Sequence, residues 1–410
     1  MNQREAEIIA RVPKELFVAG KWRPATGSAT LDVTDPATGD VLCQVADASV
    51  EDGGAALDAA VAAQPGWAAY APRDRGEILR RAYELLTART DDLALLMTLE
   101  MGKPVAESRG EIAYAADFFR WFAEEAVRID GSYTIAPNGR SRLLVMRQPV
   151  GPCLMVTPWN FPMAMGTRKI GPAIAAGCTM VVKPAEQTPL SMLALAEVLT
   201  EAGLPDGVLN VVTTSRAGAV MEPLIRDRRA RKLSFTGSTA VGRKLIAQAA
   251  DAVLRVSMEL GGNAPFLVFA DADLDAAVDG AMLAKLRNIG EACTAANRFH
   301  VQREIAAKFA ERLVARMAEL RIGRGTEDGV QIGPLINDAA VTKVSRLVTD
   351  ATGKGARLLL GGDTIEGAGH FFQATVLADV PADAELRHEE IFGPVAPIFV
   401  FDTEDEAVAA

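Results

Sequence analysis

The sequence predicts an α/β fold built on parallel sheets, and two observations support this prediction. From residue 150 onward, short apolar runs alternate with helical segments, which is typical of parallel strands joined by crossover helices. The strands are expected at 153–156, 179–182, 208–212 and 232–235, and the helices near 163–177, 189–202, 216–226 and 239–250. The length of 410 residues is the second observation, because it favours two or more α/β units over a single core.

The part of the chain before this alternation is predicted to be mostly helical. After a β-like opening at residues 15–22, a helix is expected to begin at Ser49, since Ser49 and Asp52 have the spacing of a capping box. Two longer helices are expected at about 73–101 and 104–130, where apolar residues recur at helical spacing.

Residues 131–149 have the pattern of a β-hairpin. The turn sequence Pro137-Asn-Gly-Arg140 lies between two short β-type runs, and Asn-Gly is a strong hairpin signal. A two-stranded ribbon has little of its own to pack against. We therefore expect this hairpin to dock onto another subunit.

The composition narrows the classes of partner and compartment. A net charge of −10 argues against a nucleic acid or an anionic membrane surface as the main partner. No run of about eighteen uncharged apolar residues occurs, and the acidic N-terminus has no signal-peptide core. The cysteines Cys43, Cys153, Cys178 and Cys293 are scattered, which indicates neither a disulfide framework nor a metal site. A cytoplasmic protein is expected.

Polar or glycine-bearing residues follow each predicted strand of the alternating region. Because parallel sheets bind ligands outside the carboxyl ends of their strands, these residues are expected to converge on one site. The run from Gly237 to Gly242 lacks the G-x-G-x-x-G pattern, yet it joins a strand to a helix, where a phosphate is favoured; a plain turn is the alternative. Lys183 offers a cation for phosphate or ribose, and Glu186 offers an acceptor for a ribose diol.

One carboxylate and one thiol suggest covalent chemistry on a carbonyl. Glu259 ends a β-type run beside two glycines, and Cys293 lies in a loop behind a helix, so a base and a nucleophile are the predicted pair. The alternatives are a strand-end glutamate without function and a small buried cysteine. None of the three histidines lies beside Cys293 in the sequence, which counts against a Cys-His protease dyad.

Several motifs together resemble the aldehyde dehydrogenase superfamily across nearly the whole chain. The motifs are Thr157-Pro-Trp-Asn-Phe-Pro162, Lys183-Pro-Ala-Glu186, Phe235-Thr-Gly-Ser238, Glu259-Leu-Gly-Gly262, the Cys293 loop and Glu390-Ile-Phe-Gly-Pro394. Within the superfamily, Thr167-Arg-Lys-Ile-Gly-Pro172 and Lys285-Leu-Arg-Asn-Ile-Gly290 look like the succinate-semialdehyde dehydrogenase branch. The resemblance implies two Rossmann-like parallel-sheet domains and a protruding β-hairpin. Residues 1–130 and 150–258 would bind dinucleotide, 131–149 would form an oligomerisation hairpin, and 259–410 would form the catalytic domain.

The resemblance also implies a role for each matching residue. Cys293 would attack the aldehyde carbon, the Asn160 amide would help to hold the oxyanion, and Glu259 would activate water against the thioester. NAD or NADP is the implied cofactor, with NAD favoured because Glu186 repels a 2′-phosphate. The implied cofactor-binding residues are Thr157, Trp159, Lys183, Glu186, Gly237, Ser238, Gly242, Leu260, Glu390 and Phe392.

The expected substrate is a short aldehyde with a carboxylate, most simply succinate semialdehyde. Arg168 and Arg287 are spaced so that both can reach the substrate side of the thiol, where guanidiniums match a carboxylate; helix capping or a surface ion pair is the alternative for each. The CoA-acylating relatives are disfavoured, because they generally lack the glutamate that Glu259 supplies.

Three departures from the family pattern lead to further expectations. Ala295 stands where some relatives have a second cysteine, so a redox disulfide is not expected there. Glu291 is expected to raise the pKa of the nearby thiol unless its side chain turns away. Family chains continue beyond Ala410 with a substrate-binding Ser and an interface strand, so a silent dinucleotide-binding homologue is the alternative to an active homodimer or homotetramer.

Overall fold

The computed structural model describes residues 1–410 as thirteen α-helices and sixteen β-strands. The helices are α1 (Gln3–Arg11), α2 (Val50–Ala68), α3 (Pro72–Ala88), α4 (Thr90–Met101), α5 (Val105–Glu125), α6 (Ala164–Ala175), α7 (Leu190–Glu201), α8 (Ala217–Arg226), α9 (Thr239–Ala250), α10 (Leu274–Leu286), α11 (Arg303–Ala318), α12 (Asp338–Gly353) and α13 (Glu404–Ala409). The strands are β1 (Leu16–Val18), β2 (Lys21–Arg23), β3 (Thr30–Thr34), β4 (Val41–Ala46), β5 (Ser132–Ile135), β6 (Arg142–Val145), β7 (Cys153–Val156), β8 (Met180–Lys183), β9 (Leu209–Val211), β10 (Lys232–Gly237), β11 (Arg255–Leu260), β12 (Ala264–Val268), β13 (Ala296–Gln302), β14 (Arg357–Leu360), β15 (Thr375–Ala378) and β16 (Val395–Phe401).

The first compact unit comprises Met1–Val33, Leu42–Met97 and Arg109–Leu260. Its seven-stranded sheet has the order β11-β10-β7-β8-β9-β1-β2, and the first five strands are parallel. The chain runs outward from β7 through β8 to β9 and then returns to β10 on the other side of β7. This reversal leaves a crevice between the carboxyl ends of β7 and β10, which is where doubly wound sheets bind ligands.

The central strands of this sheet are rich in buried apolar residues, as expected for a sheet that is covered on both faces. Leu154, Val181 and Leu233 come from β7, β8 and β10 and are fully buried. They belong to one core with side chains of α2 and α8, such as Leu57 and Ile225. Each such side chain contributes roughly 1.5–3 kcal/mol by leaving water. The predicted alternation of strands and helices is therefore confirmed.

The second compact unit comprises Thr34–Val41, Thr98–Ser108 and Gly261–Ala410. Its five-stranded sheet has the order β12-β13-β16-β15-β14, in which only β14 runs antiparallel to its neighbour. The buried rings of Phe299, Phe309 and Phe372 lie in its core. The sequence analysis assigns the two short segments 34–41 and 98–108 to the dinucleotide-binding domain, whereas in the structure they belong to the second unit.

The helical region before residue 150 differs from the prediction in three details. The expected helix 73–101 is two helices, because the helical conformation is interrupted at Arg89. The Thr90 hydroxyl donates to the Thr87 carbonyl (2.8 Å), and such side-chain hydrogen bonds compete with those of the helix backbone. The third helix ends at Glu125, where the chain turns toward the hairpin. Helix α1 was not predicted, although Asn2 and Glu5 form a capping box. The capping box of Ser49 and Asp52 is confirmed.

The β-hairpin is confirmed, and its residues are exposed. Strands β5 and β6 pair antiparallel, with Ser132 opposite Val145. Tyr133, Leu144 and Met146 expose 68%, 67% and 68% of their surfaces, which is unusual for a run of large apolar side chains. Docking of this surface onto another subunit stays a prediction. None of the helices combines the length and apolar character needed to cross a bilayer.

Candidate active site

In the first unit, the predicted site residues lie at the carboxyl ends of four parallel strands. Thr157, Trp159 and Asn160 follow β7, Lys183 ends β8, and Glu186 comes shortly after it; Gly237 ends β10 with Ser238 next, and Glu259 and Leu260 end β11. Parallel pairing places β7 between β8 and β10, with β11 next to β10. The sheet therefore brings these residues to a single edge, and their convergence on one ligand site stays a prediction.

The crevice between β7 and β10 offers polar atoms that the protein itself does not satisfy. The hydroxyls of Thr157 and Thr236 are buried and have no hydrogen-bond partner. Helix α9 begins directly after β10, with Ser238 as its N-cap accepting the Val241 N–H at 3.3 Å. Free N–H groups and the helix dipole at this end favour a phosphate. Buried polar atoms without partners are rare, so these residues fit a dinucleotide.

Gly242 allows α9 to pack closely on β11. A Cβ atom at this position would collide with the Leu260 side chain. Larger side chains would push the start of α9 away from the strand ends. Gly242 and Leu260 therefore pack the start of α9 against the end of β11.

Lys183 and Glu186 have contrasting environments. Lys183 is buried, and burial lowers the pKa of its ammonium while the nearby Glu186 raises it. Glu186 is exposed and accepts a weak hydrogen bond from Gln187 at 3.4 Å. A buried cation and an exposed carboxylate are suitable for holding a polar ligand such as a ribose.

Arg168 and Glu259 form an ion pair. The Arg168 Nη1 atom lies 2.9 Å from Glu259 Oε2, and its guanidinium lies 5.6 Å from the centre of the Phe118 ring. Helix α6, which carries Arg168, is fixed at its start because buried Glu111 accepts the N–H groups of Met163 (2.9 Å) and Ala164 (3.0 Å). The ion pair thus joins Arg168, a predicted substrate-binding residue, to Glu259, the predicted base.

Lys169 is a residue of this region that sequence reasoning missed. Its side chain is buried, and its ammonium donates to Ser234 Oγ at 3.0 Å. Burial lowers the pKa of Lys169 to about 8, and the charge of Glu259 acts in the opposite direction. In the sequence, Lys169 follows Arg168 and looks like half of an ordinary surface pair. Only its contact with β10, 65 positions later in the chain, distinguishes it from a surface lysine.

In the second unit, Cys293 lies on an unusual turn. The thiol is exposed. Asn288, Ile289 and Gly290, which precede it, all have left-handed backbones with φ of 54°, 64° and 80°. A Cβ atom at Gly290 would collide with the carbonyl of Gly393. A β-branched residue in this conformation is strained, and such strain concentrates at functional sites.

The side chain of Glu291 is held in the protein interior, which is the alternative that the sequence left open. The side chain is fully buried, and Oε1 accepts the backbone N–H of Ile336 at 3.2 Å. Burial raises the pKa of Glu291 well above its usual range, although the Ile336 N–H and Lys103 lower it. The backbone carbonyl of Glu291 accepts from the Asn288 amide at 2.9 Å. The side chain has turned away, and burial favours its neutral form.

Glu390 and a buried lysine complete this region. Glu390 accepts the Gly262 N–H, its Oε1 is buried without a partner, and burial raises its pKa. Lys285 donates to Asn297 Oδ1 at 3.0 Å, and burial lowers its pKa to about 7 while Glu390 raises it. Gly262, Cys293 and Glu390 lie just before β12, β13 and β16. The second unit therefore gathers its site residues at the amino ends of parallel strands.

Two further predicted residues of the second unit have clear positions. Phe392 follows Glu390 with a left-handed backbone (φ 57°). Arg287 is exposed at the end of α10, where its backbone N–H donates to the Leu283 carbonyl. Helix capping thus involves the backbone of Arg287 and leaves its side chain available to solvent.

This chain belongs to the aldehyde dehydrogenase family, whose model matches residues 22–410. A succinate-semialdehyde dehydrogenase of Paenarthrobacter nicotinovorans is 58% identical over 368 residues, which cover 90% of this chain and 82% of the relative. A glutarate-semialdehyde dehydrogenase of Pseudomonas putida is 50% identical over 409 residues, covering 100% of this chain and 84% of the relative. The crystal structure of an Escherichia coli NADP-dependent enzyme matches with a TM-score of 0.96 at 52% identity, covering 97% and 82% of the two chains. The predicted family and fold class are confirmed.

Proposed function

We propose that this protein oxidises succinate semialdehyde to succinate with NAD(P)+. The observation that supports the chemistry is the exposed Cys293 thiol on a strained turn, in a member of a family of aldehyde dehydrogenases. The substrate rests on two relatives named for four- and five-carbon semialdehydes, together with Arg168 and Arg287. Glutarate semialdehyde is the neighbouring candidate.

The residues of the chain divide the reaction between them. The Cys293 sulfur attacks the aldehyde carbon, and the Asn160 amide with the Cys293 backbone N–H stabilises the resulting oxyanion. NAD(P)+, when bound, supplies the hydride acceptor. Glu259 then takes a proton from the water that attacks the thioester carbon, after which the C–S bond breaks and the thiolate is restored.

We assign residues 1–130 and 150–258 to dinucleotide binding and residues 259–410 to catalysis. Thr157, Trp159, Lys183 and Glu186 hold the adenosine side, and Glu390 with Phe392 places the nicotinamide ribose. Gly237, Ser238, Gly242 and Leu260 shape the pyrophosphate site. The exposed carboxylate of Glu186 supports a preference for NAD, because it repels a 2′-phosphate.

The NAD preference is tested by the variant Glu186→Ser. Removal of the carboxylate is expected to raise kcat/KM for NADP relative to NAD by about ten-fold. Steady-state rates with both cofactors measure the ratio. An equal ratio in the variant and the parent protein would reject this role for Glu186.

The hairpin and the cysteines support two further assignments. The exposed apolar residues Tyr133, Leu144 and Met146 suit an interface in a homodimer or homotetramer. The four cysteines form no disulfide, which suits a reducing compartment and supports a cytoplasmic location. Sedimentation equilibrium of a Leu144→Asp variant, which should dissociate, tests the interface.

The reaction itself is tested by NADH formation from succinate semialdehyde. Cys293→Ala is expected to abolish the rate while dinucleotide binding stays nearly unchanged, because the thiol forms the covalent intermediate. Cys43→Ala is the matched control and should retain activity. A parent chain that binds dinucleotide but forms no NADH would instead be a silent homologue.

The identity of the substrate is tested at Arg287. Arg287→Ala is expected to raise KM for succinate semialdehyde ten-fold or more, about 1.4 kcal/mol, because it removes a charge partner of the carboxylate. Butanal, which has no carboxylate, should be nearly unaffected. An equal loss for both aldehydes would mean that Arg287 supports the turn before Cys293.

A further inference from the structure

The ion pair of Arg168 and Glu259 joins two residues that the proposed function uses separately. Arg168 is assigned to the substrate carboxylate, and Glu259 is assigned to the water that hydrolyses the thioester. In the structure they contact each other at 2.9 Å. While the guanidinium contacts Oε2, the carboxylate of Glu259 is held toward Arg168 and only Oε1 is left to accept a proton from water.

We propose that the substrate carboxylate controls the base: it takes Arg168 away from Glu259 and so makes Glu259 available for hydrolysis. This inference rests on the proposed function. It goes beyond that function because it makes specificity a property of the hydrolytic step as well as of binding. A neutral aldehyde would leave the ion pair in place, and its thioester would be hydrolysed slowly.

The geometry favours such an exchange. The two side chains expose 37% and 41% of their surfaces, and an ion pair with this much solvent is weak, so a second carboxylate can compete for the guanidinium. Only one contact joins the pair, between Nη1 and Oε2, so most of the N–H donors of Arg168 stay available. The Phe118 ring below the guanidinium supports it in either state.

The chemical step balances without any additional reactant. Water adds to the thioester carbon while its proton passes to the released carboxylate of Glu259. The tetrahedral adduct then collapses, the C–S bond breaks with its electron pair on sulfur, and the acid product leaves. Lys169, whose ammonium neighbours this carboxylate, stays hydrogen-bonded to Ser234 at 3.0 Å and does not need to move.

The hydrolytic step can be measured without cofactor by using p-nitrophenyl butyrate. Acylation of Cys293 releases one equivalent of p-nitrophenolate as a burst, and the subsequent steady rate reports hydrolysis of the butyryl thioester. Because the butyryl group has no carboxylate, Arg168→Met is expected to increase this steady rate two- to five-fold. The same variant should raise KM for succinate semialdehyde at least ten-fold, so the two probes respond in opposite directions.

Two comparison variants make the test specific. In a Glu259→Gln background, Arg168→Met should not increase the steady rate of butyryl hydrolysis, because there is no base to release. Arg109→Met removes a guanidinium that pairs with Asp91 at 2.8 Å on the same unit, and it should change neither probe. A gain that persists without Glu259 would overturn the inference.

The remaining outcomes also decide the question. An unchanged or lower steady rate in Arg168→Met, with a normal burst, would reject the control of Glu259 and leave the proposed function intact. A parent protein that releases p-nitrophenolate no faster than Cys293→Ala would reject the thiol chemistry and the inference with it. If Arg168→Met does not fold, the salt dependence of the parent protein is measured instead. Raising the NaCl concentration should accelerate butyryl hydrolysis by screening the ion pair, and a hydrolysis rate that does not change with NaCl would contradict the proposal.

Discussion

Glu259 and Glu291 are two glutamates close to predicted site residues in the sequence, and their environments are opposite. Glu259 lies at the end of β11, and its side chain is 41% exposed and pairs with Arg168. Glu291 has no exposed surface, and its carboxyl group accepts a backbone N–H from Ile336. The first can exchange its partner and meet water, whereas the second is fixed. Solvent and partners, not residue type, therefore decide which carboxyl group can act as a base.

The largest expected difference between the two glutamates is in turnover. Glu259→Gln should lower the steady-state rate at least about 100-fold while a single-turnover burst of NADH survives, because a general base acts in hydrolysis of the thioester. Glu291→Gln keeps an acceptor for the Ile336 N–H and should stay within about three-fold of the parent protein. Stopped-flow and steady-state rates measure both. Similar losses in the two variants would remove the distinction.

A smaller effect is expected on stability when Glu291 loses its acceptor. Glu291→Leu leaves the buried N–H of Ile336 without a partner, which should cost about 1–3 kcal/mol in the free energy of unfolding. Urea denaturation measures the change. Glu311→Leu, at an exposed position on α11, is the control and should differ little from the parent protein.

The smallest expected effect is a dependence of this stability on pH. The pKa of Glu291 is raised in the folded protein, so above its unfolded value of 4.5 the folded protein binds more protons than the unfolded chain. Stability contributed by the neutral acid is therefore lost as pH rises from 4.5 to the folded pKa. Glu291→Gln cannot ionise, so its melting temperature relative to the parent protein should increase over this range. A constant difference would show that Glu291 is not buried as an acid.

The sheets and most site residues could be predicted because their signals are local. Apolar runs between helical segments reveal parallel strands, and polar residues at the ends of those strands mark the ligand edge. Thr157, Lys183 and Gly237 lie at strand ends, where this pattern predicts candidate site residues. The family motifs then supplied roles that position alone does not give.

The features that were missed depend on contacts between distant segments. Lys169 contacts Ser234, 65 positions later, and Lys285 contacts Asn297, 12 positions later. No local pattern distinguishes either of them from a surface lysine. The orientation of Glu291 is set by Ile336, 45 positions later. The rule about carboxyl ends also does not cover the second unit, where Gly262, Cys293 and Glu390 precede their strands. Pairing of the strands, which sequence alone does not specify, brings these residues to one edge.

The left-handed turn at residues 288–290 has a consequence for protein engineering. An L-residue in this conformation costs roughly 1–2 kcal/mol, and Ile289 adopts it with a branched Cβ. The turn that precedes Cys293 thus combines left-handed main-chain conformation with the close approach of Gly290 to Gly393. Grafting the sequence Glu-Ala-Cys onto another scaffold would transfer the nucleophile without the left-handed turn that precedes it. A transplant has to reproduce the three residues with left-handed backbone conformation and the neighbouring backbone that supports them.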